Sequence, residues 1–263
     1  MESSNLVLSH ISNDVLTLTL NRPQRANAFV REMSLALQLA LSDAANDPAV
    51  RCVVLTGSGD FFSAGQDLRE FHQAEKHSYQ EHIEETYNPV ILLLRRIEKP
   101  VLASIRGAVA GAALGIALAC DLRIVAEGTR FTVGFLGVGL VPDSAVSLLL
   151  PALIGLGRAN EFTFSNAPVE AGQAMAWGIV NRVVPDNDLE IETAKWASQL
   201  AQGPIHVMGM SKLSFNQAIL HNLEDVLSYE AKNQSIAQVG FEHKEGVQAF
   251  LEKRSPRFNP DKK

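Results

Sequence analysis

Hydrophobic and polar positions alternate in a regular way along the first part of the chain. Residues 6–10 and 15–20 have the period of two that is typical of strands, and the turn-forming residues 12–14 predict a hairpin. From residue 31 to residue 45, apolar side chains recur every three or four positions, which predicts a helix. Residues 52–56 are a continuous apolar run, and a run of that length predicts a buried strand.

A second helical period runs from residue 79 to residue 97, and the Asn88-Pro89 pair predicts a break within it. Beyond it, strand patterns at 101–105, 122–126, 131–133 and 179–184 are interspersed with helical patterns at 144–150, 155–164, 169–177 and 189–201. After Gly203-Pro204 the pattern is helical to residue 254, with pauses near residues 221 and 240. We therefore predict an α/β core over residues 1–203 and an α-helical region over residues 204–263.

The longest apolar run covers residues 109–120 and has a charged residue on either side, Arg106 and Asp121. It is too short to span a bilayer and suits a buried helix. Small residues at its beginning, Gly111 and Ala112 among them, leave little side chain near the first N–H groups. Two interpretations stay open: a tightly packed core helix, or a helix start that holds an anion.

Composition narrows the class of protein. The 263 residues are 46% hydrophobic and 20% charged, which is ordinary for a globular chain. A net charge of −6 argues against nucleic acid as the main partner. No signal peptide, membrane segment or anchor motif is found, and Cys52 and Cys120 lie in apolar runs, so we expect buried thiols and a cytoplasmic location.

Metal, nucleotide and covalent hydrolase chemistry find little support. His72, His77 and His82 are spaced five apart, which puts them on different faces of a helix, and no ligand cluster completes a metal site. No Gly-x-Ser-x-Gly, Walker or dinucleotide glycine motif is present. What remains is bare backbone after two strands, at residues 64–66 and 111–113, where two converging N–H groups could form an oxyanion hole.

Several motifs together resemble the crotonase superfamily of enoyl-CoA hydratases and isomerases over nearly the whole chain. They are Asn21-Arg-Pro, Asn27-Ala-Phe, Val53-Val-Leu-Thr-Gly, Phe62-Ser-Ala-Gly-Gln-Asp-Leu68, Lys99-Pro-Val, the stretch 106–121, Trp177-Gly-Ile-Val and Ala249-Phe-Leu-Glu-Lys-Arg254. The resemblance implies a spiral of ββα units, a homotrimer or dimer of trimers, and an acyl-CoA thioester substrate. It implies no bound cofactor, because coenzyme A enters as part of the substrate.

The resemblance also assigns site residues. The thioester oxygen would be held by the backbone N–H groups of Gln66 and of Ala112, with Ala113 as the alternative to the latter. Cations near the coenzyme's phosphates would come from Arg25, Lys253 or Arg257, although a solvated basic surface explains them as well. Asp67 is better explained as the cap of a short helix than as a residue that takes part in the chemistry. The full set of residues predicted to contact coenzyme A is Arg25, Ala26, Ala64, Gln66, Asp67, Leu68, Lys253 and Phe258.

The departures from the family pattern bear on the reaction. Hydratases of the superfamily carry two glutamates, and this chain has Gly115 and Phe135 at those positions. Neither side chain can exchange a proton, so water addition by the usual route is doubtful. Asp143 stands at the position where a subset of the isomerases carries its acid/base residue. It precedes a predicted helix, so a role as its N-cap is the alternative.

The run 131–143, with Tyr87-Asn-Pro and the segments 246–250 and 253–258, most resembles the ring-1,2-epoxyphenylacetyl-CoA isomerases of the phenylacetate pathway, which also shift enoyl-CoA double bonds. Ala145-Val146 departs from their usual Gly-Gly pair. We predict an enoyl-CoA isomerase with one Asp acid/base, and the apolar residues between 79 and 94 suggest an aliphatic or aromatic acyl group. An atypical enoyl-CoA hydratase and a non-catalytic acyl-CoA-binding subunit are the alternatives.

Overall fold

Nine strands form two sheets in the computed structural model, which describes residues 6–69 and 78–259. The strands are β1 (Val7–Ser12), β2 (Val15–Leu20), β3 (Cys52–Gly57), β4 (Val101–Ile105), β5 (Ala108–Ala110), β6 (Leu122–Ala126), β7 (Arg130–Thr132), β8 (Val169–Glu170) and β9 (Arg182–Val184). One sheet has the order β1-β2-β3-β4-β6-β9, and the other has the order β5-β7-β8.

Eleven helices are described between and after these strands. They are α1 (Arg31–Asn46), α2 (Tyr79–Glu85), α3 (Tyr87–Arg96), α4 (Ala112–Ala119), α5 (Val146–Ile154), α6 (Leu156–Ser165), α7 (Ala171–Trp177), α8 (Leu189–Ala201), α9 (Ile205–Ile219), α10 (Leu223–Gln238) and α11 (Phe241–Glu252).

The chain repeats a ββα step that advances both sheets together. β4 and β6 pair in parallel in the large sheet, while β5 and β7 pair in parallel in the small one. One step earlier, β3 lies beside β4, and Ser63 forms an isolated parallel bridge with Val109 of β5. Each ββα step thus adds one strand to the large sheet and one to the small sheet. The predicted α/β spiral of ββα units with a helical C-terminal region is confirmed.

The predicted hairpin is confirmed, and one predicted helix break is at the wrong residue. β1 and β2 pair antiparallel through a turn in which Asn13 and Asp14 have positive φ, as tight hairpin turns require. The helical pattern after residue 79 breaks at Thr86, not at Pro89. Pro89 falls in the first turn of α3, where a backbone N–H has no intrahelical partner and its absence costs little.

The long apolar run was predicted as one helix but divides into two elements. Its first residues form β5, and the eight residues of α4 follow, all of them buried. The buried Arg123 guanidinium then donates to the carbonyl of Cys120 at 2.7 Å and to those of Ala117 and Leu118 at the end of α4. These carbonyls lack intrahelical partners, so Arg123 satisfies them and complements the negative end of the helix dipole.

Other boundaries differ by up to four residues. The helix predicted over 144–150 begins at Val146 and continues through Pro151 to Ile154, and the strand predicted over 179–184 is confined to Arg182–Val184. The segment predicted as a helix over 169–177 begins with the two-residue strand β8.

The C-terminal helices pack onto the α/β core through polar and apolar contacts. The buried Lys212 ammonium of α9 lies 2.9 Å from the Asp121 carboxylate, which also pairs with Arg95 of α3 at 3.0 Å. Leu223 and Leu227 of α10 belong to the same hydrophobic cluster as the strands. In the described part of the chain, no helix has both the length and the apolar character needed to cross a membrane.

Candidate active site

One cavity of about 290 Å³ brings together most of the residues predicted to act on a thioester. Gln66, Ala112 and Asp143 line it, although they come from three separate segments of the chain. Much of the remaining wall is apolar or aromatic. The other lining residues are Ala64, Leu68, Tyr79, His82, Ile83, Tyr87, Ala110, Gly111, Gly134, Phe135, Gly137, Val138, Leu140, Asn166 and Phe250.

The segments of the two candidate backbone donors meet at one parallel bridge. Ser63 pairs with Val109, and Gln66 and Ala112 each lie three residues beyond this bridge. The segments approach closely at Gly65, where an added Cβ would stand 2.6 Å from the carbonyl oxygen of Ala110. Gly65 also has a φ of +86°, which favours glycine.

Neither amide donates to another group within the described part of the fold. The bridge to Phe29 engages the N–H of Asp67 and the carbonyl of Gly65, and the N–H of Gln66 itself donates to no other described residue. The N–H groups of Ala112 and Ala113, at the start of α4, likewise have no acceptor among the described residues. Ala112 lines the cavity, whereas Ala113 is fully buried and does not.

Asp143 is a buried carboxylate in a largely apolar setting. Its Oδ1 accepts a hydrogen bond from the Ser144 hydroxyl at 2.8 Å, and its Oδ2 accepts one from Nε2 of Gln234 at 2.7 Å. Burial raises the pKa of Asp143 from an ordinary 3.8 to about 6, and these two hydrogen bonds act in the opposite direction. A carboxyl group with that pKa can accept and return a proton near neutral pH.

Asp143 does not cap the helix that follows it. The backbone N–H groups of Ala145 and Ser147 donate instead to the Glu230 carboxylate of α10, at 2.8 and 3.0 Å, and the Ser147 hydroxyl donates to it too. Burial, and then the negative charge of Asp143, raise the pKa of Glu230 to about 7. The carboxylate of Asp143 is therefore not occupied by capping the helix.

The turn between Asp143 and α5 has an unusual backbone. Ser144 and Ala145 both have positive φ, 55° and 62°, a conformation that glycine adopts more easily. The left-handed pair thus lies one residue earlier than the Ala145-Val146 pair singled out from the sequence. Two buried side chains of α10 stabilise this segment, Glu230 after the turn and Gln234 before it.

The two positions that carry glutamates in hydratases cannot supply a carboxylate here. An added Cβ at Gly115 would stand 2.3 Å from the carbonyl oxygen of Ser144, so the turn after Asp143 fills the space that a side chain there would need. Phe135 lines the cavity with its ring. In the described part of the chain, Asp143 is the one Asp or Glu in the lining.

The cavity wall also contains a hydrogen-bonded group of polar side chains that the sequence did not reveal. The Oε1 atom of Gln66 accepts hydrogen bonds from the buried Tyr87 hydroxyl and pairs with Nε2 of His82 at 2.7 Å. Tyr87 and His82 belong to α3 and α2, where their spacing gives only the signal of an amphipathic helix. Burial raises the pKa of Tyr87, so its hydroxyl remains a donor.

Most of the residues predicted to contact coenzyme A form one group at the edge of this cavity. Ala26 accepts a hydrogen bond from the N–H of Ala64 at 3.0 Å, and the exposed Arg25 precedes it. Asp67 pairs with Arg22 at 2.7 Å through Oδ2 and accepts from the N–H of Arg69 through Oδ1, so both of its carboxylate oxygens are engaged. Leu68 lines the cavity itself.

Lys253 and Phe258 are not brought to this group within one chain. Lys253 is exposed at the end of α11, and Phe258 lines a separate cleft with Leu136 and Phe164. The sets that line the two clefts share Gly137, Leu140 and Asn166. Phe250 of α11 lines the cavity of Asp143, whereas Lys253 and Phe258 do not.

Other places carry less chemistry. A cleft of about 650 Å³ lies between the large sheet and α8, lined by hydroxyl groups such as those of Thr17, Ser104 and Thr193, and no predicted site residue lines it. Among the described residues, no cluster of three or more His, Cys, Asp or Glu side chains could hold a metal ion. His72 and His77 lie outside the described residues.

Comparison with known proteins agrees with this geometry. Residues 10–261 match the family model described as enoyl-CoA hydratase/isomerase. The chain is 36% identical over 255 residues to 1,2-epoxyphenylacetyl-CoA isomerase of Escherichia coli (strain K12), covering 96% of this chain and 97% of that protein. It is also 36% identical over 241 residues to 4-chlorobenzoyl coenzyme A dehalogenase-2 of Arthrobacter sp, with 89% and 87% covered.

A solved structure extends the likeness to the whole fold. The crystal structure of an enoyl-CoA hydratase from Mycobacterium avium subsp. paratuberculosis K-10 superposes with a TM-score of 0.89 at 31% identity, covering 97% of this chain and 98% of that one. The three similar proteins are named for an isomerase, a dehalogenase and a hydratase. Similarity alone therefore defines the protein family and the fold, but not the reaction.

Proposed function

The chain belongs to the enoyl-CoA hydratase/isomerase family, and we propose that within it the protein is an isomerase of CoA thioesters that uses Asp143 as its single acid/base. The observation that carries this proposal is the pairing of two unused backbone amides, of Gln66 and Ala112, with one buried carboxylate in the same cavity. The space at Gly115 is filled by the carbonyl oxygen of Ser144, so a second acid is missing where a hydratase needs it.

The mechanism needs one base and one place for negative charge. Asp143 removes a proton from carbon 2 of a 3-enoyl thioester, and the electron pair forms an enolate whose oxygen accepts hydrogen bonds from Gln66 and Ala112. The double bond shifts, and the same carboxyl group returns the proton to carbon 4. Ketosteroid isomerase illustrates such a shuttle with one Asp base. Loss of one oxyanion donor typically costs about 3 kcal/mol in the barrier.

We propose that the acyl group is aliphatic or aromatic. Tyr79, Phe135 and Phe250 line the cavity and offer the flat apolar faces that a ring or an alkenyl chain would contact. One relative is named for a ring-epoxide thioester, so we include that class. With such a substrate the same amides and Asp143 would assist epoxide opening and ring expansion.

Coenzyme A is proposed as part of the substrate and not as a resident cofactor. Arg25 is exposed near the Ala26–Ala64 contact and could meet a phosphate there. Lys253 and Phe258 do not line the cavity of Asp143, and Phe258 lines the neighbouring cleft instead, so we propose that they meet a coenzyme from another copy of the chain.

We propose a homotrimer or a dimer of trimers. The C-terminal helices expose more apolar surface than an isolated chain tolerates well. The apolar side chains that are more than half exposed there are Val207, Met210, Phe215, Ile219, Tyr229, Ile236, Val239, Phe241 and Phe250. Sedimentation equilibrium gives the copy number directly, and a monomer at micromolar concentration would contradict this proposal.

Deuterium exchange tests the reaction. We expect the protein to exchange solvent deuterium into carbon 2 or carbon 4 of 3-hexenoyl-CoA, and Asp143→Asn to abolish the exchange while thioester binding persists. Unchanged exchange in the variant would refute the role of Asp143. Asp43→Asn is the control, because Asp43 is exposed on α1 and does not line the cavity.

A panel of thioesters separates the competing functions. Hydration of crotonyl-CoA at a rate comparable to isomerisation would favour an atypical hydratase, and chloride release from 4-chlorobenzoyl-CoA would favour the chemistry for which the Arthrobacter relative is named. Tight thioester binding with no turnover of any member would favour a non-catalytic acyl-CoA-binding subunit.

A further inference from the structure

Helix α10 contributes two buried polar side chains, one turn apart, that the proposed reaction does not use. Glu230 and Gln234 are both buried and both directed at the segment around Asp143. Burying a charged or amide side chain is unfavourable unless its hydrogen bonds are made. The hydrogen bonds of both side chains go to the segment around Asp143, which indicates that they act on this segment. Glu230 is accounted for by the turn that begins α5. Gln234 contacts the carboxylate itself.

The hydrogen bonds of Gln234 settle how its amide is oriented. Nε2 donates both to Oδ2 of Asp143 at 2.7 Å and to the carbonyl of Val141 at 2.8 Å, while Oε1 accepts from the N–H of Val141 at 3.3 Å. A flipped amide would place Oε1 against two other acceptors, so that orientation is excluded. Gln234 therefore always presents a donor to Asp143.

A fixed donor favours the charged form of a carboxylate and also limits its rotation. The Ser144 hydroxyl engages Oδ1, and Gln234 engages Oδ2, so each oxygen keeps one further lone pair for a substrate proton. We propose that Gln234 is a positioning residue that holds the Asp143 carboxylate ionised and oriented for proton transfer. This proposal rests on the isomerase function proposed above.

Other titratable groups face Asp143 from each neighbouring element and must be separated from its titration. Glu230 lies on α10 itself, Tyr79 on α2 and Tyr87 on α3, and burial raises the pKa of both phenols. His82 lines the cavity, and the ring of the buried His243 of α11 packs on Tyr79. Measurements repeated in a His82→Gln background remove the cavity-lining imidazole.

The test compares Gln234→Met with Gln238→Met. Gln238 lies one turn further along α10 and accepts from the N–H of Tyr79 without touching Asp143, so it controls for general disturbance of the helix. The Asp143 carboxyl carbon is followed by ¹³C NMR in protein labelled at aspartate, its signal assigned by its loss in Asp143→Asn. We expect Gln234→Met to raise the pKa of Asp143 by about one pH unit, as the loss of one charge-assisted hydrogen bond implies.

The kinetic readout should follow. In Gln234→Met, the acid limb of the pH profile for isomerisation should move to higher pH together with the pKa of Asp143. The kcat should fall about tenfold, and KM should stay nearly unchanged. An unmoved NMR titration, or an equal shift in Gln238→Met, would overturn the role of Gln234. If Gln234→Met does not fold, Gln234→Asn decides, because its amide stays polar but is one methylene too short to keep the 2.7 Å hydrogen bond, so the pKa of Asp143 should rise by a similar amount. If the wild type catalyses no isomerisation, the NMR titration still decides about Gln234 independently of the proposed function.

Discussion

Replacing Asp143 by Asn should stabilise the protein at alkaline pH even as it removes the base. Ionising this buried group is unfavourable in the native state, where its pKa is about 6 against an ordinary value of 3.8. At 1.36 kcal/mol for each pH unit between the two values, the native state loses about 3 kcal/mol by pH 8. Asn is neutral and can keep both partners, accepting from Gln234 and donating to the Ser144 hydroxyl.

The sign and the pH window follow from linkage. A carboxyl group with a raised native pKa contributes stability that is complete below about pH 4 and is lost as the pH rises through about 6. The advantage of Asp143→Asn should therefore be up to about 3 kcal/mol at pH 8 and about half of that at pH 5. Glu230 loses stability over a similar window, and the charge of Asp143 contributes to its raised pKa, so the difference between the two proteins measures the ionisation of Asp143 together with its coupling to Glu230.

Urea unfolding followed by circular dichroism at pH 5 and pH 8 measures this difference, at one protein concentration because association would shift both curves. Asp43→Asn, at an exposed position of α1, serves as the control and should show the same small difference at both pH values. A difference between wild type and Asp143→Asn that does not change with pH would refute the account of Asp143 as a buried, ionising group.

Two further substitutions test how the site is built. Gly115→Ala should lower the free energy of unfolding by about 2 kcal/mol or more, because its Cβ would stand 2.3 Å from the Ser144 carbonyl oxygen. The control Gly157→Ala, at a helical position with open space, should stabilise the protein slightly. Equal losses of stability in the two variants would contradict this packing. Arg123→Ala should cost about 3 kcal/mol by leaving the carbonyls at the end of α4 without donors, whereas Arg130→Ala, at an exposed ion pair, should change stability by less than about 1 kcal/mol; thermal melting of the four variants checks both expectations.

Local patterns predicted most of the elements, because each needs only its own residues. The hairpin ending at Leu20, the strand that begins at Cys52 and the helices at 189–201 and 205–219 have strong periodicity and clear turn signals, and they form where predicted. The boundaries that were wrong depend on contacts elsewhere. The long apolar run divides because its first residues pair with Phe131 and its neighbours in the small sheet, a partner that apolar character alone cannot specify.

The candidate site divides in the same way. The bare backbone at Gln66 and Ala112 and the carboxylate of Asp143 were visible in the sequence through glycine placement and family motifs. The supporting residues were not, because Glu230 and Gln234 act on groups some 83 to 93 positions away in the chain. In isolation they are polar residues four apart on a helix, which is the usual pattern of a solvated face.

The pairing of Ser63 with Val109 has a consequence for how such a protein can change over time. This bridge holds together the two segments that carry the amides, which are otherwise connected only through the long stretch of chain from Asp67 to Arg106. Insertions and deletions in that connection can therefore remodel whatever covers the acyl group without altering the amide spacing. A change of register by one residue, in contrast, would turn one amide away and leave the cavity without its anion site. The segments that determine the substrate range can therefore change independently of the segments that stabilise negative charge.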